Sequence, residues 1–249
     1  MIRGVCRLFG VVWGLALTWG AIAQTETIRI GAEDDWAPYS SAREGVPQGM
    51  AVELVKAIFS EAGLSIELVP LPYARCMEET RRGRLAGCFN TLPDASLRKD
   101  YIFHALPLFT DELWILARAD NRATQMTAKS LAGKQVIVTH GYTYGDAFES
   151  NAAIQRVTAP YDVNALRMLV AERAEFAVVY RRVTQHLQRS TAKDLQGRIK
   201  PVGKLDEAAL YLSFSRRYPD VQGLVRRFDA AHARLRKNGV LQKIEKRWN

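Results

Sequence analysis

Polar residues that could bind a small anion lie at the ends of two segments with the composition of β-strands, or just after them. Asn90 and Thr91 end the first segment, where side-chain and backbone donors could meet a carboxylate. Thr139 ends the second, and the loop after it leads into a predicted helix whose first backbone amides could bind an anion. That loop supplies three more candidate ligand-binding residues, Gly141, Tyr142 and Thr143. The alternative is a loop that only caps the helix, and one loop can serve both purposes.

The sequence lacks the residue patterns that usually carry catalysis or bind a metal. Its four histidines are dispersed and its cysteines are few, so no metal-ligand spacing is present. It has no Ser/His/Asp triad and no phosphate-binding glycine loop. Glu33 and Glu149 are the carboxyl groups that could act as a general acid if the protein were an enzyme. We therefore predict binding without catalysis, and neither a metal nor a cofactor.

The N-terminus has the order of segments found in a secretory signal peptide. Arg3 and Arg7 precede an apolar run at residues 8–19, and small residues follow at 21–23, which predicts cleavage before Gln24. A membrane anchor is the alternative, but a run of about a dozen apolar residues is short against the roughly 20 that span a bilayer. We therefore predict a periplasmic protein.

Cleavage would leave 226 residues and lower the formal charge from +9 to +7, because the removed segment has two arginines and no acidic residue. A basic protein can bind nucleic acid or acidic lipids. Export argues against nucleic acid, and the lysines and arginines are scattered rather than concentrated on one motif. We predict no nucleic-acid partner.

Two cysteines, Cys76 and Cys88, remain after the predicted cleavage. The pattern places Cys76 on a helix and Cys88 on the strand that follows it. In an oxidising compartment such a pair could close a disulfide if both side chains face the same layer. The alternative is two buried free thiols, so the sequence alone leaves the disulfide open.

Strands and helices alternate along the first part of the chain. Val52, Val55, Ile58 and Phe59 have helical periodicity, and Gly63 ends that helix. The predicted elements are strands at 28–31, 66–69 and 85–89 and helices at 50–62 and 73–82. This alternation favours parallel βαβ units.

The same alternation restarts after residue 130. The predicted elements here are strands at 135–139 and 176–180, a helix after Gly141 and a helix at 164–172. The tail at 220–248 is predicted to be helical, with a break at Asn238-Gly239.

Extended apolar segments at 113–118 and 210–215 flank the second unit and could connect it to the first. We therefore predict an α/β protein of two lobes. Residues 24–115 plus 210–249 form the first lobe, and residues 116–209 form the inserted second lobe.

Several short motifs occur in a fixed order along the chain after residue 24. They are Trp36-Ala37-Pro38-Tyr39, the helix start at 49–54, Pro72-Tyr73-Ala74-Arg75, Leu97-Arg98-Lys99 with the segment 103–107, the Leu-x-Gly-Lys sequence at 131–134, and the segment 238–241. In this order they resemble the family 3 extracellular solute-binding proteins, in the branch with a Pro-aromatic-x-Arg motif. Members of this family serve uptake transporters for amino acids and related polar solutes.

The resemblance implies a type II periplasmic-binding-protein-like fold. Each lobe would be a mostly parallel sheet flanked by helices, and two hinge strands would join the lobes. The protein would be a monomer that captures a small polar carboxylate between the lobes and delivers it to the membrane permease of an ABC transporter.

The resemblance also assigns roles to individual residues. Arg98 stands where the family grips the carboxylate of its ligand, and a guanidinium offers the planar pair of donors that such a contact needs. Trp36 and Tyr73 stand where the family places aromatic rings on either side of the ligand.

One position departs from the family pattern. Tyr180 stands where amino-acid binders have an aspartate for the ammonium group of the ligand, and a neutral phenol cannot supply that charge. Glu33 could partly substitute for the aspartate, whereas Arg75 and Arg181 would favour an acidic ligand. The predicted ligand is therefore an amino acid or a related organic acid, and the sequence leaves open whether it is an ordinary α-amino acid.

Two alternatives remain at this point. The protein could be a ligand-sensing component for a membrane receptor, in which closure of the lobes biases a signalling partner. It could instead be a periplasmic cyclohexadienyl-dehydratase-like enzyme on the same fold, with Glu33 or Glu149 as the general acid.

Overall fold

A computed structural model describes residues 27–248 of the chain. The predicted signal peptide, residues 1–23, lies outside the described residues. The strands are β1 Ile28–Glu33, β2 Asp35–Trp36, β3 Ser40–Arg43, β4 Val46–Gln48, β5 Ile66–Leu71, β6 Gly87–Thr91, β7 Tyr101–Phe103, β8 Phe109–Arg118, β9 Gln135–Thr139, β10 Gln155–Ala159, β11 Phe176–Tyr180 and β12 Ile199–Ser215. The helices are α1 Met50–Glu61, α2 Tyr73–Arg81, α3 Leu97–Asp100, α4 Asp146–Glu149, α5 Asp162–Val170, α6 Arg181–Arg189, α7 Val221–Lys237 and α8 Val240–Arg247. Short 3₁₀ turns lie at Lys129–Leu131 and Lys193–Leu195.

One long sheet runs through the molecule. Its strand order is β10-β9-β11-β8-β12-β6-β1-β5, and β7 also pairs with β12. Within it, β5, β1 and β6 are parallel, as are β10, β9 and β11. A separate small sheet contains β2, β3 and β4. The mixed α/β class with mostly parallel sheets is therefore confirmed.

The two parallel groups are joined by β8 and β12. These strands are antiparallel and pair from Phe109 opposite Leu210 to Arg118 opposite Ile199. Beyond Leu210, β12 pairs with β6 and β7, whereas β8 pairs with β11 on its other side. The predicted connecting segments at 113–118 and 210–215 lie within these two strands. The lobe boundaries stay a prediction; below, lobe 1 and lobe 2 refer to the predicted residue ranges.

The helices cover the sheet with apolar faces. In α1 the residues with helical periodicity are buried, and the Phe59 ring contacts the Phe228 ring of α7 with centroids 5.3 Å apart. The side chain of Asp220 accepts a hydrogen bond from the Gly223 N–H at the start of α7. Gly239, with φ of 77°, separates α7 from α8, as the sequence predicts.

Cys76 on α2 and Cys88 on β6 form a disulfide, with their Cα atoms 5.9 Å apart. Both side chains are fully buried in a small cluster with Tyr73, Met77 and Tyr101. The bridge therefore ties α2 to the strand it packs against. Of the two states that the sequence left open, the structure has the disulfide.

The helix predicted after Gly141 is present and begins five residues after that glycine. It is α4, which has four residues, begins at Asp146 and has acidic residues in its first turn. Among the amides of the loop before it, the Tyr144 N–H already donates a hydrogen bond to Glu149 Oε1 at 2.9 Å. That amides in this loop bind an anion therefore stays a prediction.

Of the helices in the described part of the chain, none is long and apolar enough to cross a membrane.

Candidate functional site

The candidate site lies where strands of both lobes end. Glu33 is the last residue of β1, and Asn90 is the penultimate residue of β6. Thr139 ends β9, and Tyr180 ends β11. The loops after parallel strands meet at one edge of a sheet, which is where α/β folds bind ligands. The structure thus brings these predicted residues to facing edges of the two lobes.

A cavity of about 190 Å³ opens between the lobes. A smaller space of about 10 Å³ lies beside it and shares Glu33, Tyr73 and Tyr142 with it. The larger cavity is lined by Glu33, Asp34, Asp35, Pro72, Tyr73, Ala74, Thr139, His140, Tyr142, Pro160 and Tyr161. The smaller one is lined by Glu33, Trp36, Tyr73, Asn90, Leu92, Tyr142, Thr143 and Tyr180. Residues of both lobes line each of the two spaces.

Trp36 joins the two lobes most directly. Its indole Nε1 donates a hydrogen bond to Asp162 Oδ2 across the cleft at 3.1 Å. Its ring lies edge-on to Tyr180, with centroids 5.0 Å apart, and to Tyr142, with centroids 6.3 Å apart. Trp36 is 2 % exposed, so closure of the lobes excludes water from these contacts.

Asp162 is a buried acceptor at the start of α5. In addition to the hydrogen bond from the Trp36 indole, Asp162 accepts one from the Thr139 hydroxyl. Burial raises its pKa to about 6, and the bonds from Thr139 and Trp36 limit that rise because they favour the ionised form. Asp162 therefore holds its proton to a higher pH than an exposed aspartate does.

Glu33 is the second buried carboxyl group of the cleft. Burial raises its pKa well above the usual range, and the negative charge of Asp162 adds to that rise. The Tyr142 hydroxyl of lobe 2 donates a hydrogen bond to Glu33 Oε1, which acts in the opposite direction. In the closed cleft Glu33 thus holds its proton more strongly than an exposed glutamate.

Asn90 has an unusual backbone and an unpaired side chain. Its φ of 71° is in the left-handed region, which asparagine tolerates better than most residues. It is 6 % exposed, and neither its amide nitrogen nor its amide oxygen has a hydrogen-bond partner. Buried polar atoms without partners are costly, and residues held in left-handed backbone conformations cluster at active sites and ligand-binding segments.

The remaining cleft residues predicted from the sequence take different positions. The Tyr73 ring lies edge-on to Tyr142, with centroids 5.1 Å apart. Gly141 touches Ala74 of lobe 1, and a Cβ at position 141 would lie 2.7 Å from the Ala74 Cβ. Thr143 lines the smaller space. Thr91 is buried against β12, with its hydroxyl 3.3 Å from Ser213 Oγ, and lines neither space.

The predicted cationic residues lie outside the cleft. Arg98 is exposed, and its guanidinium carbon lies 5.6 Å from the centre of the Phe103 ring. Arg75 is exposed on α2. Arg181 Nε lies 3.6 Å from carboxylate oxygens of Asp111 and Glu112 on β8. None of the three arginines lines either space between the lobes.

Sequence reasoning missed Asp34, Asp35, Asp162 and Tyr161. The run Glu33-Asp34-Asp35 is a visible signal, because three consecutive acidic residues follow a buried strand at its carboxyl end. Asp162 has no such signal. It stands at a helix start, where an acidic residue commonly serves the helix itself, and its partner Trp36 is 126 residues away.

No group of three or more His, Cys, Asp or Glu side chains is placed to hold a metal ion within residues 27–248.

The α/β fold has a small cavity between its lobes, and aromatic and carboxyl side chains line that cavity. This combination is typical of a protein that binds small solutes. The chain belongs to the bacterial extracellular solute-binding proteins, family 3, whose family model matches residues 28–249. It is 24 % identical over 238 residues to the arginine-binding extracellular protein ArtP of Bacillus subtilis (strain 168), covering 92 % of this chain and 88 % of that protein.

Similar solved structures have the same fold. One is a histidine kinase sensor domain with similarity to periplasmic binding proteins, with a TM-score of 0.77 and 24 % identity over 90 % of this chain and 96 % of that one. Another is an ancestral arginine-binding protein bound to arginine, with a TM-score of 0.74 and 19 % identity over 89 % of this chain and 97 % of that one. At these identities the likeness concerns the fold.

Proposed function

We propose that this chain is a periplasmic solute-binding protein that captures a small polar solute, an amino acid or a related compound, between its lobes and passes it to the permease of an ABC transporter. The observation that carries the proposal is the cavity itself, which is lined from both lobes and bridged by the Trp36–Asp162 and Tyr142–Glu33 hydrogen bonds. The family and its arginine-binding relative support a ligand of the amino-acid type.

Binding without turnover is part of the proposal. Calorimetry with amino acids, organic acids and amines tests it: we expect one class to bind reversibly and to be recovered unchanged. Failure of every polar solute to bind the folded protein would contradict the proposal. Chemical conversion of the bound solute would instead favour an enzyme on this fold.

The carboxylate on the solute, predicted from the position of Arg98, has its own test. The closed cavity has no contact with this arginine, so gripping a carboxylate would require the Arg98 side chain to leave Phe103 and turn into the cleft. If it does so, Arg98→Ala should weaken solute binding by at least about tenfold, because a hydrogen bond to a charged group contributes roughly 1.5–3 kcal/mol. Lys99→Ala, which removes the neighbouring exposed cation, is the control. Equal affinity of the Arg98→Ala variant and the unaltered protein would exclude the contact.

The second candidate function is sensing for a membrane receptor, because a similar fold occurs in a histidine kinase sensor domain. An uptake experiment distinguishes sensing from delivery to a transporter. Deletion of the gene should abolish uptake of the radiolabelled solute if the protein serves a permease. Unchanged uptake together with a lost transcriptional response would favour the sensor.

Export has a direct test. Mass spectrometry of the protein purified from the periplasm should give a mature N-terminus at Gln24. Recovery of the uncleaved chain from the membrane fraction would contradict the predicted signal peptide.

A further inference from the structure

Carboxyl groups predominate among the ionisable side chains around the interlobe cavity. Glu33, Asp34 and Asp35 line the larger space, and the charge of Asp162 acts on Glu33 from lobe 2. Neither lysine nor arginine lines the larger or the smaller space, taking the described residues 27–248 together. His140 is the one basic side chain on either lining. The cleft as a whole is therefore acidic.

A carboxylate-bearing solute fits this arrangement poorly. Bringing another carboxylate beside three or four acidic side chains, with water excluded, raises the free energy of the complex through like-charge repulsion and desolvation. No cationic side chain lines the cleft to offset that cost. A cation has the opposite effect on the free energy of the complex. It pairs with the carboxylates and lowers their pKa values, so that they are charged when the solute is bound.

Unpaired acceptors in the cleft point to N–H donors on the solute. Asn90 is 6 % exposed and lines the smaller space next to Glu33, and neither polar atom of its amide has a partner within hydrogen-bond geometry. Its amide nitrogen lies toward Glu33, whose pKa it lowers, so the amide oxygen is the acceptor left for the solute. Asp34 Oδ1 is also buried without a partner, on the side of the larger cavity. An ammonium or guanidinium group carries several N–H donors and could satisfy both positions.

The walls of the cavity also suit a cation. Tyr73, Tyr142 and Tyr161 line the larger space, and Trp36 and Tyr180 line the smaller one. Aromatic faces attract desolvated cations, and their stacked or edge-on packing gives contact area without a further charged group. A volume of about 190 Å³ is below the 300–1,000 Å³ common for drug-sized ligands, so the solute is small.

We infer that the cleft takes a small amine or guanidine that carries no carboxylate, and that the solute is thus a decarboxylated relative of a basic amino acid rather than the amino acid itself. This inference rests on the proposed function, because it names the ligand class of the same interlobe site.

Matched pairs of solutes test the inference, because each pair differs by one carboxylate. Calorimetry compares cadaverine with lysine, putrescine with ornithine, and agmatine with arginine. In at least one pair the amine should bind at least about tenfold more tightly than its amino acid, since burying an uncompensated charge is costly. Equal or tighter binding of the amino acid in every pair that binds would overturn the inference and leave the proposed solute-binding function intact. Failure of all six compounds, together with every other polar solute, would overturn both.

Variants locate the effect in the cleft. Glu33→Gln keeps an oxygen acceptor for the Tyr142 hydroxyl but removes the negative charge, and Asp34→Asn does the same for its neighbour. Each should weaken amine binding by at least about fivefold, as expected for loss of a charge-assisted hydrogen bond. Asp100→Asn, which removes an exposed carboxylate on α3, should leave the affinity unchanged. Unchanged amine affinity in both cleft variants would overturn the assignment.

Discussion

Replacing Trp36 by phenylalanine should release the lobes from their closed arrangement. The phenyl ring retains a hydrophobic surface toward Tyr39, whose ring centre lies 4.7 Å from that of Trp36, and toward Tyr180. What is lost is the indole N–H that donates to Asp162 across the cleft. The variant therefore isolates one interlobe hydrogen bond from most of the packing around it.

The size of the effect follows from the acceptor. A hydrogen bond to a charged group contributes roughly 1.5–3 kcal/mol, and leaving a buried carboxylate with fewer donors adds to the loss. Because each 1.4 kcal/mol is about tenfold in an equilibrium constant, the ratio of closed to open molecules should fall roughly tenfold to a hundredfold.

The open–closed equilibrium can be measured by single-molecule energy transfer between dyes on the two lobes. Lys56 on α1 and Lys193 in lobe 2 are exposed attachment points, each replaced by a labelled cysteine. Trp114→Phe is the matched control, because the Trp114 indole also donates to a carboxylate, that of Glu112 at 2.9 Å, but within one strand.

We expect more low-transfer, open molecules in the Trp36 variant and an unchanged distribution in the control. A shift of less than about threefold in the Trp36 variant, or an equal shift in both, would refute the argument that this hydrogen bond holds the lobes together.

Three further predictions follow from other contacts. Gly141→Ala should weaken solute binding by at least about tenfold, since its Cβ would meet Ala74 across the cleft, and Ala74→Gly in the same chain should restore part of the affinity measured by calorimetry. Replacing Cys76 and Cys88 by serine should lower the free energy of unfolding in urea by about 3 kcal/mol, the value expected for a loop of this length; a loss below about 1 kcal/mol would contradict it. Asp162 binds its proton more tightly in the folded protein, with a pKa of about 6 against an ordinary 3.8, so stability from this group rises as pH falls from 7 toward 5; relative to Asp162→Asn, the Tm of the unaltered protein should increase over that range.

Elements with a strong apolar pattern could be predicted from the sequence. The strand Phe176–Tyr180 has the predicted bounds, because five apolar residues buried on both faces leave little alternative. The strand Gln155–Ala159 was missed because it lies at the edge of the sheet and four of its five residues are not fully buried. The helix Arg181–Arg189 was missed as well, since its arginines and glutamines give few apolar positions to count.

The sequence could predict those site residues whose position along the chain is enough to place them in the cleft. Strand ends placed Asn90 and Thr139 at the cleft, because the carboxyl end of a strand in a parallel sheet faces the ligand edge, and the family resemblance placed Tyr180 there. The same reasoning could not tell where a long side chain turns. Arg98 follows its strand in the expected order, yet its guanidinium lies on the ring of Phe103. The missed Asp162 depends on a contact with distant Trp36 that no local pattern encodes.

The position of β12 between β6 and β8 has a consequence for how the protein is made. The parallel groups β5-β1-β6 and β10-β9-β11 each form within a continuous part of the chain, at residues 28–91 and 135–180. Contacts between nearby residues form early, whereas β12 can join the two groups only after the chain has been synthesised as far as residue 215. The two halves can thus take shape while the cleft does not yet exist. We expect the ability to bind a solute to appear in the last step of folding. Added solute would therefore slow unfolding without accelerating the formation of the two parallel groups of strands.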